Sequence, residues 1–215
     1  MKKNSANIVT LSNLSVGLLA IFHGLIQSNL ILCSWLILIG VLFDFLDGKI
    51  ARFLKVENEY GKQLDSFADM VTFGIAPAVI VFKLIEVSNS NLAYFAFFIP
   101  IFSAIRLAKY NINKNQDTHF IGLTTTVNAI FFSSIPLIKQ IESFKLINDL
   151  LSNAYFLIII TLIFSFLLTS NLKTFSLKFY SSNNYEKKIK IGFLIVCFFL
   201  IVLLKYLSIP IIIFF

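Results

Sequence analysis

Apolar residues run through this chain in long stretches separated by short polar breaks. The stretches fall at about residues 8–26, 30–51, 65–85, 92–109, 121–138 and 155–169, and a seventh starts near Ile191. Runs of this length match the roughly 20 residues that a helix needs to cross a hydrocarbon core about 30 Å thick. The longest polar stretches, Lys109–His119 and Ser170–Lys190, are too short for a soluble domain, and no repeat recurs at a fixed period. The pattern predicts one all-α, polytopic integral-membrane domain over residues 1–215, with a core at about 7–172. Its last run, about 190–215, is long for one upright span and short for two. Pro210 either ends a first helix there or kinks a tilted one, giving one or two C-terminal transmembrane helices. The start, Met1-Lys2-Lys3 before an apolar run, has the outline of a signal peptide. The length of the run and the lack of an Ala-x-Ala site favour a retained first span.

Composition agrees with a membrane protein. Of the 215 residues, 58% are hydrophobic and 13% charged, where soluble domains are about a quarter charged. Disorder and a disulfide scaffold are excluded, since Cys33 and Cys197 stand alone in apolar runs. His23 and His119 are also isolated, so no soft-metal site is expected. The net charge of +7 reports topology rather than a nucleic-acid face, because 14 of the 18 basic residues fall on one side of the predicted spans. By the positive-inside rule that side, with the N-terminus and the loop at 49–62, is cytoplasmic.

The acids carry the chemistry. Four of the 11 fall between positions 44 and 69. Asp44 and Asp47 are spaced i, i+3 at the predicted cytoplasmic end of span two, and Asp65 and Asp69 i, i+4 at the start of span three. Each pair shares a helix face, and antiparallel spans across a short loop set the pairs opposite each other. Carboxylates at a membrane boundary are costly and line cavities. Four together repel unless neutralised, and an all-oxygen donor set suits Mg²⁺ or Mn²⁺. Two such ions about 4 Å apart would balance four charges and clamp a phosphate. A proton or Na⁺ site in a transporter is the competing reading. Gly48, Ala51 and Gly61 are small residues beside the acids, which suits either close helix packing or a bulky ligand. Arg52 is placed for a diphosphate oxygen or as an interface anchor.

From Asp44 to Asp69 the residues spell D-x2-D-G-x2-A-R-x8-G-x3-D-x3-D without a substitution. This resembles the signature of the CDP-alcohol phosphatidyltransferases, membrane enzymes that move a phosphatidyl group from a CDP-linked lipid to an alcohol and release CMP. The resemblance implies a six-helix core, usually dimeric, with a metal-dependent site open to the cytoplasm. It implies that Asp44, Asp47 and Asp65 bind metal, with Asp69 sharing a second ion and acting as general base toward the acceptor hydroxyl. Asp47, Gly48, Ala51, Arg52, Gly61 and Asp65 would then hold the CDP-lipid.

Beyond the signature, the run from Asp65 to Ala78 is similar to the phosphatidylserine synthase branch, which reads close to D-S-x-A-D-x-V-S-F-G-x-A-P-A. Arg106-Leu107-Ala108-Lys109-Tyr110-Asn111 is similar to that branch's R-L-A-R segment. Asn7–Asn13 fits its first-span entry, and Lys178–Ser181 resembles a basic-aromatic segment of it. Phe120-Ile121-Gly122-Leu123 also resembles the branch, with Thr124 where Pro is usual. The implied substrates are CDP-diacylglycerol, or an ether-lipid counterpart, and L-serine, whose carboxylate would meet Arg106 with Thr72 and Asn111 adding hydrogen bonds. Acceptors that carry an extra phosphate ask for more basic residues than Met70, Val71 and Thr72 provide. Glycerol phosphate, inositol and inositol phosphate remain the same-family alternatives, and a homodimer in contact with membrane lipids is the expected assembly.

Overall fold

A computed structural model describes residues 2–54, 58–112, 122–141, 144–170, 196–197, 199–200 and 202–214. Among these no strand occurs. The helices are α1 (Lys2–Leu25), α2 (Leu30–Leu54), α3 (Glu59–Glu86), α4 (Leu92–Ile112), α5 (Thr125–Lys139), α6 (Lys145–Ser152), α7 (Ala154–Thr169) and α8 (Ser208–Phe214). The expected segments at Phe120–Ile121 and Lys178–Ser181, and most of the run from Ile191, lie outside the described residues.

Helices α1 to α4 are each long and apolar enough to cross a membrane, and the bent pair α6–α7 counts as a fifth if taken as one span. Their outward faces carry large apolar side chains, among them Leu18, Phe22, Leu42, Phe45, Ile101 and Phe166, all about half exposed or more. In water such a surface would be a liability, whereas in lipid it is the solvated face. The chain is an integral membrane protein.

Packing divides into two parts. One cluster gathers Ala20, Cys33, Ile37, Phe73, Ala76, Ile80 and Ala129 where α1, α2, α3 and α5 meet. The other joins the far half of α3 to α4, α5 and α7, with Phe131 stacked on Phe164 at 4.0 Å between centroids. Close approach of α1 and α2 to α3 depends on glycine. A Cβ on Gly24 would come 2.7 Å from Val79 Cγ1, and one on Gly40 would come 2.5 Å from Thr72 Cγ2. Gly17 is crowded by Thr72 in the same way. In a bilayer, helices associate through such small-residue contacts because apolar burial adds little.

Helix α3 extends six residues beyond the expected start at Asp65. Asn58 caps it, its side chain accepting from the Gly61 N–H at 3.0 Å. Just past Asp69 the winding widens to a π turn over Met70–Ile75, with the Ala76 N–H bonded to the Val71 carbonyl. The reason lies in Pro77, which has no N–H and whose ring would strike the carbonyl four residues back in a regular helix. Widened turns of this kind recur at functional sites.

A further helix lies between α5 and α7. Residues 145–152 form the short amphipathic helix α6, bent 77° from α7. Asn153 marks the corner, accepting from the N–H groups of Tyr155 (2.9 Å) and Phe156 (3.3 Å). At the other end of α5, Thr124 serves as N-cap, its hydroxyl accepting from the Val127 N–H at 3.2 Å. A proline there would lack that acceptor, so the substitution relative to the branch pattern keeps a helix start by other means. Gly122 adopts φ +77°, and a Cβ there would lie 2.8 Å from the Ser170 carbonyl. The Leu123 N–H bonds to the Leu167 carbonyl at 3.0 Å, which ties the start of α5 to the end of α7.

Candidate active site

Helix α2 presents Asp44 and Asp47 to α3, and α3 returns Asp65 and Asp69. One carboxylate oxygen from each of Asp44, Asp47 and Asp65 lies within 4.8 Å of the others. Asp47 is the most enclosed, at 5% exposure, and accepts a hydrogen bond from the Thr10 hydroxyl of α1. Buried oxygens of Asp47 (Oδ2), Asp65 (Oδ1) and Asp69 (Oδ1) have no hydrogen-bond donor among the described residues. Among these residues the only ion pair is Lys83–Glu86, at 2.9 Å and on the opposite end of α3. Orphaned anionic oxygens without a protein cation fit a hard divalent ion, and the donor set matches one made of carboxylates. The residues present therefore suit a metal at Asp44, Asp47 and Asp65.

Asp69 lies one turn deeper on α3. The Arg106 guanidinium, from α4, is within electrostatic reach of it but not in ion-pair contact, and the buried Arg106 Nε has no partner among the described residues. Of the residues expected beside an acceptor, Arg106 is thus brought to Asp69. Thr72 is fully buried against α1 and α2, with its hydroxyl donating to the Asn13 carbonyl at 3.1 Å and its methyl against Gly40. Asn111 is engaged with the start of α3. Its Nδ2 donates to Ser66 Oγ (2.9 Å) and Gln63 Oε1 (3.4 Å), and its main-chain carbonyl accepts from Lys62 Nζ (3.3 Å).

The small residues of the signature behave differently from the packing glycines. A Cβ on Gly48 would meet nothing closer than Arg52 Nη2 at 3.7 Å, and one on Gly61 nothing closer than Asn58 Nδ2 at 3.5 Å. These are ordinary contacts. Helix packing explains glycine at 17, 24 and 40, and leaves 48 and 61 without a reason inside the described protein. Arg52 is exposed, its Nε donating to the Gly48 carbonyl at 2.8 Å, so its guanidinium sits over Gly48 at the mouth of the site. Ala51 is half-buried on the same helix.

Sequence reasoning missed Thr10 as the donor to Asp47 and the π turn beneath Asp69. The first left a trace in the polar Asn7–Asn13 segment of an otherwise apolar span, and the second in Pro77.

Comparisons with known proteins bear on this site. The profile of the CDP-alcohol phosphatidyltransferase family matches residues 3–167. A CDP-diacylglycerol--serine O-phosphatidyltransferase of Helicobacter pylori is 34% identical over 128 residues, covering 58% of this chain and 53% of that protein. A protein of the same name from Methanocaldococcus jannaschii is 34% identical over 148 residues, 68% of this chain and 66% of the relative. An archaetidylserine synthase of Methanothermobacter thermautotrophicus is 31% identical over 134 residues, 61% and 57% respectively. The chain spans about half to two thirds of the length of these curated relatives. No solved structure matches it. With the profile running through all four aspartates and both helices that carry them, this chain belongs to the CDP-alcohol phosphatidyltransferase family.

Proposed function

We propose that the chain transfers a phosphatidyl group, or its ether-lipid counterpart, from a CDP-linked lipid to the hydroxyl of L-serine, releasing CMP. The observation that carries this is the cluster of Asp44, Asp47 and Asp65, with buried oxygens left unpartnered, set one turn above Asp69. The acceptor assignment is supported by the names of the relatives and by the run from Asp65 to Ala78. A transporter is less well supported, because the acids lie toward the end of the bundle that holds the start of α1 and both helices that carry them are continuous.

In this reading Asp44, Asp47 and Asp65 hold Mg²⁺ or Mn²⁺, and Asp69 borders the same site. When bound, such an ion would supply positive charge against the diphosphate. Gly48, Ala51 and Gly61 give the nucleotide end close access to the backbone, and Arg52 offers a phosphate contact at the mouth. Asp69 takes the proton from the acceptor hydroxyl as that oxygen bonds to the lipid-linked phosphorus. The bond from that phosphorus to the CMP oxygen breaks, and CMP leaves. Arg106 binds the serine carboxylate. The site shares an end of the bundle with the N-terminus of α1 and with Lys109, which supports a cytoplasmic opening.

The test is an acceptor panel on purified protein with CDP-diacylglycerol, following CMP. Release is expected with L-serine and Mg²⁺ or Mn²⁺, and is expected to stop with EDTA and return on adding back metal. CMP release driven by inositol or glycerol phosphate instead would reassign the acceptor. Ion flux across vesicles without CMP would remove the enzyme reading.

Gly61→Ala separates ligand access from packing. It is expected to leave thermal stability unchanged, because its Cβ meets only ordinary contacts, while raising the KM for the CDP-lipid. A loss of stability with unchanged KM would show that Gly61 is there for packing.

A further inference from the structure

Three fully buried polar side chains, on three helices that pack around the far half of α3, have no partner among the described residues. Ser103 on α4, Asn128 on α5 and Ser165 on α7 are each 0% exposed. Ser103 Oγ, Ser165 Oγ and both side-chain polar atoms of Asn128 lack a hydrogen bond among the described residues. Other buried hydroxyls solve the same problem locally. Ser133, Ser134 and Thr161 each donate to a carbonyl three or four residues back. An unpaired buried polar group is costly to leave unmet, so three helices that each contribute one call for a partner.

Ring contacts fix their depth. Phe102 and Phe166 meet at 5.3 Å, and Phe131 stacks on Phe164 at 4.0 Å. Ser103 follows Phe102, Ser165 lies between Phe164 and Phe166, and Asn128 precedes Phe131 by one turn on the same face. The three residues therefore lie within about one helical turn of each other in height. Their position relative to the acids follows from α3. A Cβ on Gly74 would sit 3.4 Å from Ser103 Cβ. In a π turn the residue five positions on falls nearly beneath the first, so Gly74 lies below Asp69 rather than around the helix from it. One widened turn separates them by on the order of 5 Å along the axis, within the reach of a small amino alcohol between two side chains. Arg106 stands one turn above Ser103 on the same face of α4. Asn13 has an equally unpartnered amide but packs against Gly40 and Thr72 on the opposite side of α3.

We infer that Ser103, Asn128 and Ser165 form the floor of the acceptor subsite and hydrogen-bond the amino-acid end of the acceptor while its hydroxyl points up to Asp69. The inference rests on the serine-transfer reading and extends it to residues outside the signature. The Asn128 carbonyl and the two hydroxyls accept from the ammonium, and the Asn128 amide N–H donates to the carboxylate beside Arg106. All three are specificity-determining rather than catalytic, since none reaches the reacting phosphorus. The floor bears no full charge, which suits a zwitterion and disfavours an acceptor carrying a free phosphate.

The experiment titrates L-serine against purified full-length Ser103→Ala, Ser165→Ala and Asn128→Ser at saturating CDP-diacylglycerol. Losing one hydrogen bond to a charged group corresponds to about 10–100-fold. At least one variant is expected to raise the serine KM by that factor while kcat and the CDP-diacylglycerol KM stay near wild type. L-Serine should also raise the unfolding temperature of wild type and do so less in that variant. The two serine truncations remove one oxygen each, so folding defects do not obscure the result. Unchanged serine KM in all three variants overturns the subsite. Wild-type protein that ignores L-serine and turns over another alcohol overturns the underlying reading instead, and the two failures are distinct.

Discussion

Asp69→Asn is expected to lose turnover by a factor on the order of 10²–10⁴, the usual contribution of a positioned general base, while still binding CDP-diacylglycerol. The substitution keeps size and planarity, so it leaves the packing of α3 against its neighbours undisturbed. It also leaves Asp44, Asp47 and Asp65 in place, whose oxygens lie within 4.8 Å of one another, so the metal-holding set survives. What disappears is the ability to take the acceptor proton. CMP release under serine saturation reads the chemical step, and retention of CDP-diacylglycerol in a binding assay reads the site. Near-normal CMP release by Asp69→Asn would refute the base assignment, and lost lipid binding would move Asp69 into the metal set.

Gly40→Ala carries the second large effect, this time on stability. Its Cβ would come 2.5 Å from Thr72 Cγ2 and 3.0 Å from Asn13 Oδ1, and both neighbours are fully buried. Thr72 cannot swing away, because its hydroxyl is held to the Asn13 main-chain carbonyl at 3.1 Å. Overpacking of this kind costs about 1–3 kcal/mol, which thermal unfolding in detergent measures. Adding Thr72→Ser removes the clashing methyl and keeps the hydroxyl, so Gly40→Ala/Thr72→Ser is expected to recover most of the loss. If Gly40→Ala unfolds at the wild-type temperature, α2 and α3 do not meet as closely as described. The pair of variants also separates junction packing from any part that Thr72 plays with the acceptor, since Ser keeps the hydrogen-bonding group.

Much of this was legible before any coordinates. The apolar runs mark the helices because a bilayer forces each span to be long and continuous. The four aspartates stand out because so little other charge lies within the spans. Less legible were features that depend on the third dimension. The corner at Asn153 separates an amphipathic helix from a span, and a hydropathy run blurs the two. Thr10 reaches Asp47 from a different helix, and no spacing rule links positions 10 and 47. The reason for glycine at 48 and 61, as against 17, 24 and 40, appears only when the surrounding atoms are known. Ser103, Asn128 and Ser165 read as ordinary small polar residues in apolar runs, and what distinguishes them is that each lacks a partner.

The π turn at Met70–Ile75 divides α3 into two separately phased halves. On the near side the helix is indexed by Asp65 and Asp69, which must face α2. On the far side it is indexed by Ala76, Val79 and Ile80, which must face the bundle interior. A regular helix would lock these two requirements together, so that any adjustment of the acidic face would turn the packing face with it. The widened turn frees one from the other. The rotational setting of the chemistry is therefore decoupled from that of the core, and the acceptor side can be remodelled without re-registering the span that carries it.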